Sequence, residues 1–154
     1  EWDKLVDINL KGAFLCSKVV VPHMKEKRYG KIINTSSIGA IHPPAVAPHY
    51  NAAKAGVIGL TYDMACELVP YNITVNTILP GPVRTSFYDP VLESKTEEEK
   101  EAYFAQIGKI VPLQRVGTPE DIAGVTLFLA SDLSAYVTGA VIPVTGGLPL
   151  QPRL

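Results

Sequence analysis

Lys31-Ile-Ile-Asn-Thr-Ser-Ser37, followed thirteen residues later by Tyr50-Asn-Ala-Ala-Lys54, decides the fold. The first stretch is a short β-branched run that ends in hydroxyls. It predicts a buried strand over 31–35 that delivers Ser36 and Ser37 to its carboxyl end. The second stretch places a phenol and an ammonium four residues apart. On a helix those positions lie one above the other on the same face. A nearby cation stabilises a phenolate and lowers the phenol's ordinary value near pH ~10. Tyr50 is therefore a candidate acid or base close to neutrality. Tyr and Lys at this spacing also occur on plain exposed helices, where the ammonium only covers the ring. The strand before the pair and the small residues of Ala55-Gly56-Val57-Ile58-Gly59-Leu60 after it favour the chemical reading.

Working outward, residues 1–27 read as one amphipathic helix, with Leu5, Ile8, Phe14, Leu15 and Val19 at roughly helical spacing. Pro22 is expected to kink its last part, and Gly30 to end it. Gly39, Pro43, Pro44 and Pro48 mark 38–48 as loop. A long helix is expected over 49–69, then a strand over 73–79 cut off by Pro80-Gly81-Pro82. Thr96 with Glu99 predicts a capped helix. Ala102, Tyr103, Phe104 and Ile107 give that helix a short apolar face. Thr118 as N-cap and Pro119 at N1 start another helix that runs to about Ala130. A last strand follows over 140–144. Strands separated by helices imply crossover connections and a parallel α/β sheet.

These residues carry a family resemblance. Asn9 stands in Asp7-Ile-Asn-Leu10, Ser37 ends its strand, and Tyr50-x-x-x-Lys54 follows. Then come Asn76-Thr-Ile-Leu-Pro-Gly-Pro-Val-Arg-Thr85, Arg115-Val-Gly-Thr-Pro-Glu-Asp-Ile-Ala123, Leu127-Phe-Leu-Ala-Ser-Asp132 and Tyr136-Val-Thr-Gly139. In this order the chain resembles the later part of a short-chain dehydrogenase/reductase of the classical type. The resemblance implies a doubly wound, Rossmann-like parallel sheet present as its later part, in one domain over 1–154. It implies a catalytic set of Asn9, Ser37, Tyr50 and Lys54. NAD or NADP would meet Tyr50, Lys54, Pro80, Gly81, Val83 and Thr85. A small-molecule carbonyl or alcohol substrate would meet Ser37, His42, Phe87 and Tyr88. Residues 84–112 would form a substrate-binding lid. A homo-oligomer, dimer or tetramer, would use the helices of Asn9 and Tyr50. Asn76 is read as structural and Arg115 as a loop brace.

The chain departs from the family in two ways. No Gly-x-x-x-Gly-x-Gly turn or Asn-Asn-Ala-Gly segment is present, and the chain opens at Glu1 inside an expected helix. The expectation is therefore a piece of a longer chain, whose sheet of about three strands has a bare inner edge. The choice between NAD and NADP is normally made at a second strand that this sequence lacks. In Val144-Thr-Gly-Gly147, Thr145 stands where the family usually has Asp, so one loop-end hydrogen bond is in question. Two function classes follow. One is a reversible alcohol/ketone oxidoreductase, similar to a 3-oxoacyl-carrier-protein reductase or a sugar or polyol dehydrogenase. The other is a non-catalytic fragment or oligomerisation module unable to bind cofactor alone. A non-redox dehydratase step is a further rival, disfavoured by the intact Ser-Tyr-Lys set.

Bulk properties exclude other classes. A hydrophobic content of 47% with 19% charged residues is that of a globular domain. A formal charge of −1 with no basic stripe argues against nucleic acid. No run reaches the ~18 apolar residues of a membrane span. Cys16 and Cys66 are fifty residues apart without metal spacing. They are expected as buried, reduced thiols in a cytoplasmic protein. His23 is expected on a helix surface, and His42 and His49 in a loop near the site. None has ligand spacing, so no metal is expected.

Overall fold

The structure, a computed structural model, describes residues 1–43 and 47–150. Its centre is a three-stranded parallel sheet in the order β1-β2-β3. β1 is Gly30–Thr35, β2 Ile73–Pro80 and β3 Val141–Val144. Ile32 lies opposite Val75, and Ile78 opposite Ile142. β2 is buried along nearly its whole length, as a strand covered on both faces must be. On one face, Asn34 Nδ2 donates to Thr61 Oγ1 of helix α3 (Pro48–Leu68). On the opposite face, Lys31 Nζ donates to Ser134 Oγ, just beyond helix α6 (Pro119–Ala130). Successive residues of a strand point to opposite faces, so α3 and α6 cover different sides. Ile32, Met64, Ala65, Leu68, Ile73 and Val75 form the core under α3, flanked by Val21, Met24, Leu60 and Tyr71.

The first helical stretch differs from expectation. It runs as α1 (Trp2–Val6), a π-helical turn (Asp7–Lys11) and α2 (Gly12–Lys27). The apolar stripe does not face the core: Ile8, Phe14, Leu15 and Val19 are exposed, Val19 at 78%. Ala13, Ser17, Val21 and Met24 turn inward instead. Helical spacing identifies a stripe but not what covers it. Cys16 and Cys66 are exposed rather than buried for the same reason. Arg28, in the left-handed conformation, closes α2. Gly30 lies close under the Met24 side chain, where an added Cβ would be 2.5 Å from Met24 Sδ.

The expected loop 38–48 holds a 3-10 turn at Ile38–Ala40, and Pro44, Ala45 and Val46 lie outside the described residues. Pro48 opens α3 at its first turn, so His49 is helical, not loop. It stacks on Trp2 at 6.1 Å, and its Nε2 lies 3.7 Å from the Glu1 carboxylate. Both expected helix starts are found. Thr96 and Glu99 cap each other at α5 (Glu97–Ile110), after the short helix α4 (Asp89–Leu92). Thr118 and Asp121 do the same at α6. The expected tail includes residues 151–154, which lie outside the described residues.

Candidate active site

Two hydrogen bonds stitch the end of β1 to the Tyr50–Lys54 turn of α3. Ser36 Oγ donates to the Lys54 carbonyl at 2.7 Å, and Lys54 Nζ donates to the Thr35 carbonyl at 3.0 Å. Ser37 follows directly. Its hydroxyl accepts from Gly39 N–H at 3.1 Å and caps the 3-10 turn, so its own proton remains free to be donated. Lys54 Nζ lies 5.7 Å from the Tyr50 ring centre. The expected pair therefore shares a face, and the strand delivers Ser37 to the same end.

Burial lowers the Lys54 ammonium below its ordinary value of 10.5. The charged form is thus disfavoured in the folded state. Below the folded value both states carry the charge and the burial cost is fully present. Between the folded value and 10.5 the unfolded chain binds more protons, so stability rises with pH there. Lys54→Met removes this cost. Its stability relative to the parent is expected to be greatest near neutrality and to decline as pH rises toward 10.5. Thermal unfolding of both proteins against pH reads the slope, and a relative stability that grows with pH would contradict this account.

Asn9 sits in the π-helical turn, where its Nδ2 donates to the Leu5 carbonyl at 3.1 Å. The neighbouring Leu10 packs on Gly56, whose added Cβ would lie 2.7 Å from Leu10 Cδ2. This brings the Asn9 turn beside α3, two residues past Lys54. Gly59, by contrast, meets nothing within 4 Å. π turns are rare and concentrate at functional sites. Nothing in the sequence pattern signals this one.

The cofactor candidates follow β2. Gly81 N–H donates to the Val144 carbonyl at 2.9 Å, and a Cβ on Gly81 would lie 2.8 Å from Thr145 Cα. Only glycine lets these backbones approach so closely. Thr145 Oγ1 donates to the Leu148 carbonyl at 2.8 Å. Thr145 thus makes a different loop-end bond from an Asp: it donates to a carbonyl, where an ionised Asp could only accept. Thr85 is exposed, and its hydroxyl accepts from Phe87 N–H at 3.4 Å.

Among the substrate candidates, His42 is an exposed turn residue. Phe87 stands 6.4 Å from Tyr50 between ring centres. It begins an aromatic chain through Tyr88 (5.5 Å) to Phe104 (5.4 Å from Tyr88) and Tyr103. Burial, with Tyr103 and Tyr50 nearby, raises the Tyr88 phenol. Phe104 is buried and packs against Tyr88 and Tyr103. A cleft of about 700 Å³ lies among Arg84, Thr85, Leu92, Glu93, Lys100 and Phe104. It reaches Thr85 but not Ser37 or Tyr50.

Asn76 and Arg115 have the expected structural contacts. Asn76 is fully buried; its Nδ2 donates to the Val137 carbonyl and its Oδ1 accepts from Ala140 N–H, both at 2.9 Å. Arg115 donates to both carboxylate oxygens of Asp121, at 2.6 and 2.8 Å. Among the described residues no cluster of metal-ligating side chains occurs, and no helix is long and apolar enough to cross a membrane.

The family described as enoyl-(acyl carrier protein) reductase matches residues 1–149. The 3-oxoacyl-(acyl-carrier-protein) reductase FabG of Thermotoga maritima is 45% identical over 148 residues, which are 96% of this chain and 57% of that protein. Dehydrogenase/reductase SDR family member 4 of Homo sapiens is 40% identical over 149 residues, 96% of this chain and 51% of the relative. A crystal structure of a 3-oxoacyl-(acyl-carrier protein) reductase with bound NAD from Brucella melitensis superposes with a TM-score of 0.81. It is 39% identical, over 98% of this chain and 53% of that one. The chain spans about half the length of the curated relatives it matches. With a family match along nearly its whole length, on a Rossmann-like parallel sheet, the chain belongs to the short-chain dehydrogenase/reductases.

Proposed function

We propose that the protein interconverts a secondary alcohol and a ketone with NAD or NADP. The observation that carries this reading is the stitched strand end: Ser36 on the Lys54 carbonyl, and Lys54 Nζ on the Thr35 carbonyl. That arrangement ties the carboxyl end of β1, which Ser37 follows, to the helix turn that carries Tyr50 and Lys54, and α/β folds bind ligands beyond such strand ends. The residues fit the nicotinamide–ribose end of such a cofactor. Lys54 is a half-buried ammonium able to bond ribose hydroxyls, and Gly81, Val83 and Thr85 supply backbone and hydroxyl groups beside β2. When bound, the nicotinamide gives or takes the hydride.

The chain's own groups handle the rest. Ser37 donates its proton to the substrate oxygen and orients it. Tyr50 delivers a proton to that oxygen in reduction and takes one in oxidation. Lys54 stabilises negative charge on the Tyr50 oxygen. Asn9, in the π turn that Leu10 packs against α3, would anchor a water that links Lys54 to solvent. Phe87 and Tyr88 flank the substrate, with His42 at the loop side, and residues 84–112 close over it as a lid. We place the whole chain in one domain. The exposed Phe14, Leu15 and Val19 suit a second copy of the chain, in a dimer or tetramer.

For the substrate we favour a 3-oxoacyl thioester, as the names of the relatives suggest. A sugar or polyol is the second choice. The test follows reduced nicotinamide absorbance in the complete protein: its loss from NADH or NADPH with acetoacetyl and crotonyl thioesters, and its gain from NAD or NADP with polyols. Turnover of the acetoacetyl thioester supports the reading. Turnover of the crotonyl thioester alone would move the reaction to the carbon–carbon double bond, and no turnover of any would sink the proposal.

A further inference from the structure

The segment after β2 is held by a single-residue zipper. Gly117 N–H donates to the Pro82 carbonyl and its carbonyl accepts from Arg84 N–H, each at 2.9 Å, making an isolated parallel bridge between Val83 and Gly117. In a parallel ladder a residue bridged in this way turns its own N–H and C=O to the other side. Val83 thus presents one donor and one acceptor away from Gly117. Its carbonyl receives only a long contact, 3.5 Å, from Thr85 Oγ1. An adjacent donor and acceptor are the complement of a primary carboxamide. Val83 also lines a small cleft of about 160 Å³ with Pro82, Arg115, Gly117, Asp121 and Thr145.

Gly117 in turn sits in a loop fixed on both sides. Arg115 forks onto the Asp121 carboxylate, and Asp121 Oδ2 also accepts from Thr118 N–H at 2.8 Å. One carboxylate thereby ties the residue before Gly117's neighbour Val116 to the first turn of α6. A Cβ at Gly117 would lie 3.3 Å from the Pro82 carbonyl oxygen, so the zipper has little slack.

We infer that Arg115 and Asp121 form a positioning brace that sets the Val83 peptide groups for the carboxamide of the nicotinamide, acting through Gly117. This rests on the cofactor reading above. Neither side chain touches the reacting atoms.

The brace separates the nicotinamide from the rest of the cofactor, and its test uses that separation. In the complete protein, Arg115→Ala and Asp121→Asn are compared with the parent for binding of NAD(H) or NADP(H), and of ADP-ribose or its 2′-phosphate, by calorimetry. Asp121→Asn keeps an acceptor for Thr118 N–H, so it removes the ionic fork while sparing the helix cap. Amide exchange at Arg84 and Gly117 is read in the ligand-free proteins. Loss of the two positioned hydrogen bonds should weaken dinucleotide binding about tenfold. ADP-ribose binding should stay within about twofold, because it has no carboxamide. Exchange at both amides should quicken, and Arg115→Lys should recover part of the loss, since a point charge replaces a fork. Equal weakening of both ligands, or unchanged exchange, would overturn the brace. A parent protein that binds neither ligand would overturn the cofactor reading itself, and with it the role assigned to Val83.

Discussion

Tyr50→Phe is expected to lower turnover by about 10²–10⁴-fold, the usual worth of a positioned proton donor. Only the hydroxyl is lost. The ring remains for its contacts with Phe87 and the Lys54 ammonium, so the folded structure and cofactor affinity should be preserved. KM should change little, because the proton matters to the transition state and not to the bound substrate. Steady-state kinetics of the complete protein, with a circular dichroism melt as control, checks this. A variant that keeps more than about a tenth of its turnover would remove Tyr50 from the mechanism.

The largest effect on stability is expected at Asn76. Its side chain satisfies the Val137 carbonyl and the Ala140 N–H, and it is fully buried. Asn76→Ala leaves both backbone groups without a partner. Each such orphan costs about 1–3 kcal/mol, so a loss of about 2–6 kcal/mol is expected. The damage is aimed at the turn leading into β3, where Val75 N–H also bonds Thr138 Oγ1 and Gly139 N–H bonds the Val75 carbonyl. Urea unfolding at constant slope measures the loss. A change below about 0.5 kcal/mol, the range of an ordinary surface substitution, would mean that water replaces the side chain.

Much of this molecule was legible in its sequence. The strands, the long helix, the Thr96–Glu99 capping box and the Thr118 helix start follow from β-branched runs, Thr-x-x-Glu spacing and Pro positions. Those signals act over a few residues, and the chain supplies them locally. The Tyr50 and Lys54 alignment was equally local. What escaped needs tertiary knowledge. A stripe of Phe14, Leu15 and Val19 has the same periodicity whether it faces a sheet or open space, and Cys16 and Cys66 go with it. The π turn around Asn9 is a shift of backbone bonding that side-chain patterns do not encode. His49 was misplaced because Pro48 both breaks a preceding segment and begins a helix. The Val83–Gly117 bridge joins residues that no spacing rule connects.

The pairing register of the sheet also governs how the chain must fold. Gly30 meets Ile73, and Thr77 meets Val141. No strand finds a neighbour until several dozen intervening residues have been gathered in. Loop closure on that scale is paid in chain entropy before any ladder bond forms, and such non-local pairing is intrinsically slow. Helix α3 eases the first closure, since a preformed rod shortens the span between β1 and β2. β3 has less help: residues 81–118, the Val83–Gly117 bridge and α6 must all be arranged before its four residues can dock. The last strand to join is thus the one whose carboxyl end holds Thr145 against Gly81, and the Pro80-Gly81-Pro82 segment can take its final shape only at the end of folding.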